Sequence, residues 1–159
     1  MRFYGQVETK KGLDGKLRHK WTGGEVVFAR AFDNPIPGYG GKSAINLRLW
    51  KALPLDMFDF KKFNDGDFYN AESNKRFASQ IRSLLYPNDN MDHGKELRLK
   101  QQYLFVSATI QDILNKYWRK NKNWDDLPDK VAIQLNDTHP ALSIAELCRI
   151  LVDYEGFSV

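Results

Sequence analysis

The chain has 159 residues, with 24 lysines and arginines against 20 aspartates and glutamates, a formal charge of +4. Apolar residues make up 42% and charged residues 28%, while 11 glycines and 6 prolines are too few for collagen-like, low-complexity or disordered material. A folded domain with a substantial core is therefore expected, and the small positive excess needs locating before it implies an anionic partner.

The first third reads as antiparallel β. Phe3–Glu8, Leu17–Trp21 and Glu25–Phe32 are strand-like, and Asp14-Gly15 between the first two is a tight hairpin signal. Pro35-Ile36-Pro37-Gly38 is expected to break the chain, after which Ile45, Leu47 and Leu49 alternate with Asn46, Arg48 and Trp50 as a further strand. Beyond Asn64-Asp65-Gly66 the pattern becomes helical. Phe77, Ile81, Leu84 and Leu85 form one narrow apolar edge, and Pro87 predicts a stop near Tyr86.

Asn88 to Gly94 packs turn formers together and reads either as a connector or as a ligand contact. Lys95 to Lys120 is the strongest helix: Leu99, Tyr103, Val106, Ile110, Ile113, Leu114 and Tyr117 recur at steps of three and four, with Gln101, Gln111 and Asp112 on a polar side. Val131–Leu135 is short and nearly all apolar, as in a strand buried on both faces of a parallel sheet. A helix should follow. Ser143 with Glu146 fits a capping box, Ile144, Leu147, Leu151 and Tyr154 form its stripe, Cys148 is expected to be buried beside them, and Gly156 supplies the stop. This strand, loop and helix would make a βα unit, so the fold class is α/β. A buried parallel strand needs parallel neighbours that this sequence hardly offers, which predicts a piece of a larger protein.

Chemistry is sparse elsewhere. A single cysteine excludes an intrachain disulfide framework, and His19, His93 and His139 make no zinc-spaced pair, so no metal is expected. No run approaches the ~20 apolar residues of a membrane span, and Met1–Thr9 lacks a signal-peptide profile. These readings predict a reducing, cytoplasmic setting without membrane contact. The basic clusters, Lys10 to Lys20 and Lys116 to Lys122, lie where solvated turns and a helix C-terminus carry lysine, and no nucleic-acid signature accompanies them.

The carboxyl end of the predicted buried strand is Asn136-Asp137-Thr138-His139-Pro140, the position where open α/β sheets bind ligands. Asp137 and His139 could orient hydroxyls or act as an acid-base couple; an Asx turn followed by a loop proline is the equal alternative.

Six ordered motifs carry a resemblance: Tyr4-Gly5-x-Val7-Glu8, Pro35-x-Pro37-Gly38-Tyr39, Leu47-Arg48-Leu49-Trp50, Tyr86-Pro87-Asn88-Asp89-Asn90, Gly94 to Gln101, and Val131 to Pro140. Together they resemble the α-glucan phosphorylases, the glycogen and starch phosphorylases. The resemblance implies residues 1–159 of a single N-terminal domain of a GT-B enzyme, without its C-terminal cofactor domain. It implies transfer of a terminal α-1,4-linked glucosyl unit to inorganic phosphate, giving glucose 1-phosphate with retained configuration. Pyridoxal phosphate would be held by a lysine outside this chain, so no catalytic or cofactor-binding residue is expected within it. By resemblance, Asn90 binds a glucosyl hydroxyl, Asp89 lies in a loop gating the phosphate site, Asp137 and His139 line the crevice, and Arg98 and Thr138 support or gate these groups. The helix about Tyr69 to Tyr86 would meet the partner subunit of a homodimer. Met91-Asp92 and Asn115-Lys116 replace the aromatics and paired arginines of purine-inhibited and nucleotide-activated members. A stand-alone, non-catalytic glucan-binding module is the alternative, and a hydrolase using Asp89 and Asp137 a third.

Overall fold

Five strands fill the first third of the computed structural model, which describes residues 1–12 and 15–157, and every pairing among them is antiparallel. They are β1 (Arg2–Phe3), β2 (Gln6–Lys11), β3 (Leu17–Thr22), β4 (Glu25–Pro37) and β5 (Ala44–Pro54). Helices follow: α1 (Phe60–Asn64), α2 (Phe68–Ala71), α3 (Ser73–Ile81), α4 (Asp92–Asn121), α5 (Leu127–Lys130) and α6 (Leu142–Arg149). The result is a mixed α/β chain in two compact units. The first comprises Met1–Phe3 and Glu25–Leu104; the second comprises Tyr4–Gly24 and Phe105–Val159, the last two residues lying outside the described set.

In the first unit, β1, β4 and β5 form a three-stranded sheet in the order β1-β4-β5. The expected break at Pro35 does not occur. Pro35 pairs with Asn46 and Pro37 with Ala44, so the strand runs two residues further and turns at Gly38. Directly opposite residues share a face, which puts Phe28 with Leu53, Phe32 with Leu49 and Ile36 with Ile45. The base of the hairpin buries Val27 and Ala52, and α3 packs against these strands with Ala78 and Ile81 buried. Phe3 meets Phe77 and Tyr103 edge-on, with centroids 5.4 and 5.5 Å away, tying β1 to α3 and α4.

The helix expected through Tyr86 is shorter and interrupted. Glu72 separates α2 from α3, and α3 ends at Ile81. Local hydrogen bonds explain the early end: Gln101 Nε2 donates to the carbonyls of Ile81 (3.2 Å) and Leu84 (3.1 Å), and Ser83 Oγ donates to that of Gln80. Gln101 is consequently buried at 4% exposure, whereas Leu99, expected in the apolar stripe, is exposed.

In the second unit β2 and β3 pair from Gln6↔Thr22 to Lys11↔Leu17, as the hairpin signal predicts; Asp14, half of that signal, lies outside the described residues. Gly5 is irreplaceable there. It has φ +86°, and a Cβ would stand 2.2 Å from the Thr22 carbonyl oxygen. The core joins Val106, Ile110 and Leu114 of α4 to Ile150, with Trp124, Leu127, Leu142 and Leu147 packed against it.

Three expectations in this unit are corrected. Val131–Leu135 forms no strand: it is irregular, with Ile133 40% and Leu135 37% exposed. A strand exists only through a ladder, and no strand among the described residues pairs with this segment. Val131 and Ile133 instead border a groove of about 280 Å³ with Ile110, Leu114, Leu147 and Leu151. The capping box is also absent. Helix α6 begins one residue before Ser143, its N-cap is Ala141, and no side chain caps it. Finally, the buried residues of α6 and of the π-helical turn Ile150–Tyr154 that continues it are Ser143, Glu146 and Ile150, leaving Ile144, Tyr154 and Cys148 exposed. Glu146 can be buried because Ser107 Oγ donates to it at 2.5 Å and Arg149 binds both its oxygens at 2.7 and 2.8 Å.

Candidate functional site

In the first unit, the loop between α3 and α4 carries Asp89 and Asn90. Pro87 excludes helical geometry at Tyr86, whose φ is +55°. Asn88 then folds the loop on itself, its Oδ1 accepting the Asn90 backbone N–H at 2.9 Å. Asp89 forms an ion pair with Arg98, one face of α4 further along. Gly94 lets the loop lie against the helix, since a Cβ there would be 1.8 Å from the Asn88 carbonyl oxygen. Asn90 is exposed, and its carboxamide has no hydrogen-bond partner among the described residues, so its donors and acceptor are available to a ligand.

In the second unit, Asp137, Thr138 and His139 precede α6, with His139-Pro140-Ala141 forming a single 3₁₀ turn. Asp137 adopts φ +78°, an unfavourable conformation for a residue with a side chain. Its own carboxylate compensates: Oδ1 accepts from the Thr138 N–H at 2.6 Å and from Thr138 Oγ1 at 3.3 Å. The Thr138 backbone N–H, then its hydroxyl and the neighbouring His139, hold the Asp137 carboxyl below the ordinary carboxylate value. His139 Nδ1 lies 3.9 Å from Asp137 Oδ2, too far for direct proton transfer. In its ionised form Asp137 presents a charged hydrogen-bond acceptor at the start of this turn.

The structure thus joins Asp89 to Arg98, and Asp137 to Thr138 with His139 adjacent. Gly94, Gln101, Ser107, Glu146 and Arg149 support these loops or the helices that carry them, and none was a candidate on sequence. Gly94 alone had a signal, a glycine at the start of a strong helical pattern.

No group of three or more His, Cys, Asp or Glu among the described residues is placed to hold a metal ion, and none of the helices searched is long and apolar enough to cross a membrane. Lys130 is held above the usual lysine range by its hydrogen bond to Asp126, and Lys100 and Lys116 are ion-paired with Glu96 and Asp112.

The family described as carbohydrate phosphorylase matches residues 1–159, and the chain belongs to that family. It is 50% identical to the glycogen phosphorylase of Saccharomyces cerevisiae over 154 residues, which is 96% of this chain and 17% of that protein. It is 51% identical to the alpha-glucan phosphorylase, H isozyme, of Vicia faba over 160 residues, 98% of this chain and 18% of that protein. The glycogen phosphorylase 2 of Dictyostelium discoideum is 49% identical over 153 residues, 96% of this chain and 15% of that protein. The chain therefore spans less than a fifth of the length of these relatives.

Proposed function

We propose that this chain serves as a segment of the N-terminal domain of a cytoplasmic α-1,4-glucan phosphorylase of GT-B architecture, an enzyme that converts glucan and inorganic phosphate to glucose 1-phosphate. Family membership over residues 1–159 supports the reading, as do relatives named for glycogen and α-glucan. The observation that carries it to particular residues is the exposed carboxamide of Asn90, without a hydrogen-bond partner among the described residues and presented on a loop fixed by Asn88 and Gly94. A sugar hydroxyl leaving water needs replacement donors and acceptors, and a preformed amide supplies both.

In this reading Asn90 binds a glucosyl hydroxyl, and Asp89, steadied by Arg98, belongs to the loop controlling access to the phosphate site. Asp137, kept ionised by Thr138, accepts hydrogen bonds from sugar hydroxyls, with His139 beside it. The residues that hold pyridoxal phosphate lie outside this chain, and the region Tyr69 to Tyr86, folded as α2, α3 and the turn after them, contributes to homodimer contact.

The test is steady-state phosphorolysis by the assembled enzyme. Asn90→Ala is expected to reduce kcat/KM about tenfold to a hundredfold, the effect of losing one hydrogen bond to a desolvated hydroxyl. Lys120→Ala, at the exposed end of α4, is expected to leave it unchanged. Equal activity of both variants would refute the Asn90 role. A natural protein ending at Val159 that binds glucan without phosphorolysis would replace the whole reading with the non-catalytic module.

A further inference from the structure

Gly94, Arg98 and Gln101 recur at steps of four and three on α4 and so share one face of it. Each meets the connection from Arg82 to Met91, or the helix end before it, at a different point, all within the first unit. Gly94 lies against the Asn88 carbonyl, Arg98 pairs with Asp89, and Gln101 Nε2 donates to the carbonyls of Ile81 and Leu84 at 3.2 and 3.1 Å. The three contacts differ in strength. Gly94 gives room without attraction, and the Arg98–Asp89 pair is partly open to water, where screening leaves an ion pair little net worth. Gln101 is 4% exposed, so its two bonds are made where water competes least. Both partners are carbonyls, which one amide N–H₂ group can serve together; a carboxylate at this position would face two further acceptors.

What Gln101 holds bears on Asn90. Between Leu84 and Asn88 the chain has only Leu85, Tyr86 and Pro87, and two of these are stiff: the ring fixes φ at Pro87, and Tyr86 sits in the small left-handed region at φ +55°. Asn88 then accepts the Asn90 N–H at 2.9 Å. A displacement of the Leu84 carbonyl is therefore passed on towards Asn90 instead of being absorbed on the way. We propose that Gln101 is a positioning residue for glucosyl transfer: without touching substrate, its buried amide fixes the loop so that the Asn90 carboxamide is presented in the geometry a sugar hydroxyl requires. The role depends on Asn90 binding a glucosyl hydroxyl, as proposed above.

The test uses the assembled enzyme. Gln101→Met keeps the volume and removes the donor, while Gln101→Glu keeps the shape and, ionised, turns an acceptor towards two carbonyls. In either variant, amide exchange read by mass spectrometry should quicken about tenfold or more in peptides covering Leu84 to Met91, and not in peptides of the β4–β5 hairpin. In phosphorolysis Gln101→Met should lower kcat/KM about tenfold. In its background Asn90→Ala should cost less than about threefold, against about tenfold to a hundredfold by itself. Ile110→Val, a loss of buried packing further along α4, shows what general destabilisation does: its effect and that of Asn90→Ala should simply multiply. Should Gln101→Met assemble poorly, Gln101→Glu carries the same cycle. Unchanged exchange in both Gln101 variants would overturn the anchor, and independent effects of the Gln101 and Asn90 variants would overturn its action through Asn90. An inert Asn90→Ala would instead refute the reading of Asn90 and take the role of Gln101 in transfer with it, which tells the two failures apart.

Discussion

Gly94 and Asn88 touch through space that no side chain could occupy: the carbonyl oxygen of Asn88 lies 1.8 Å from where a Gly94 Cβ would be. Alanine is the better helix former by about 1 kcal/mol, so an isolated helix would gain from Gly94→Ala. Here the clash with backbone decides the sign. Gly94→Ala is expected to lower the unfolding free energy and to shift the Asn90 amide resonance, because the loop must move away from α4. Stabilisation with an unmoved Asn90 signal would contradict the close approach.

Glu146 is 4% exposed, and Ser107 and Arg149 satisfy both its carboxylate oxygens. Removing the carboxylate takes away the acceptor of the Ser107 hydroxyl and of the Arg149 guanidinium. Glu146→Ala should cost about 3 kcal/mol of stability and Ser107→Ala about 1 kcal/mol, measured by urea unfolding. The two losses should add to less than their sum, since each variant breaks the same bond.

Tyr117 presents the opposite case. Its hydroxyl is buried with no hydrogen-bond partner among the described residues, and burial raises its pKa. Tyr117→Phe keeps the ring stacked on Trp124, centroids 5.7 Å apart, and removes the unsatisfied group. The variant should be more stable by about 1 kcal/mol in thermal or urea unfolding. A loss of stability would show that the hydroxyl finds a partner in solution.

Asp137 supplies a pH dependence with a definite sign. Its folded pKa lies below the ordinary value of 3.8, so the bonds to Thr138 contribute stability that is fully present above that value. The contribution disappears as pH falls through the lower, folded pKa. A ¹³C-carboxyl titration should place Asp137 below an unstructured aspartate. Thr138→Val removes the 3.3 Å hydroxyl bond but keeps the stronger backbone one, and should move the midpoint only part of the way back.

How far the sequence foretold these arrangements depends on how local their causes are. Helix α4 was legible because its period of three and four repeats over many turns, and the hairpins because turn residues punctuate them. Gln101 was misplaced on a polar face because its amide serves the end of α3, a helix twenty residues away in sequence. On α6 the apolar stripe lost to Ser143 and Glu146, since the ion pair with Arg149 and the Ser107 hydroxyl make burial of a carboxylate tolerable. Val131–Leu135 has the composition of a buried strand, but composition cannot supply the neighbour that makes it one. At the candidate site the types of Asn90, Asp137 and His139 were readable; the left-handed backbone of Asp137 and the contact beneath Gly94 were not, because both follow from placement of backbone and not from residue type.

The chain enters the second unit at Tyr4, leaves it at Gly24 and re-enters at Phe105. No single peptide bond can therefore be cut to release either unit intact, and a fragment ending at Leu104 would carry the β2–β3 hairpin without the helices of its own unit. During synthesis that hairpin waits for about eighty further residues before its unit can assemble, a loop closure whose entropy falls on the folding rate. The first unit, whose main segment is continuous from Glu25, has no such wait, so its sheet should acquire amide-exchange protection before the hairpin does.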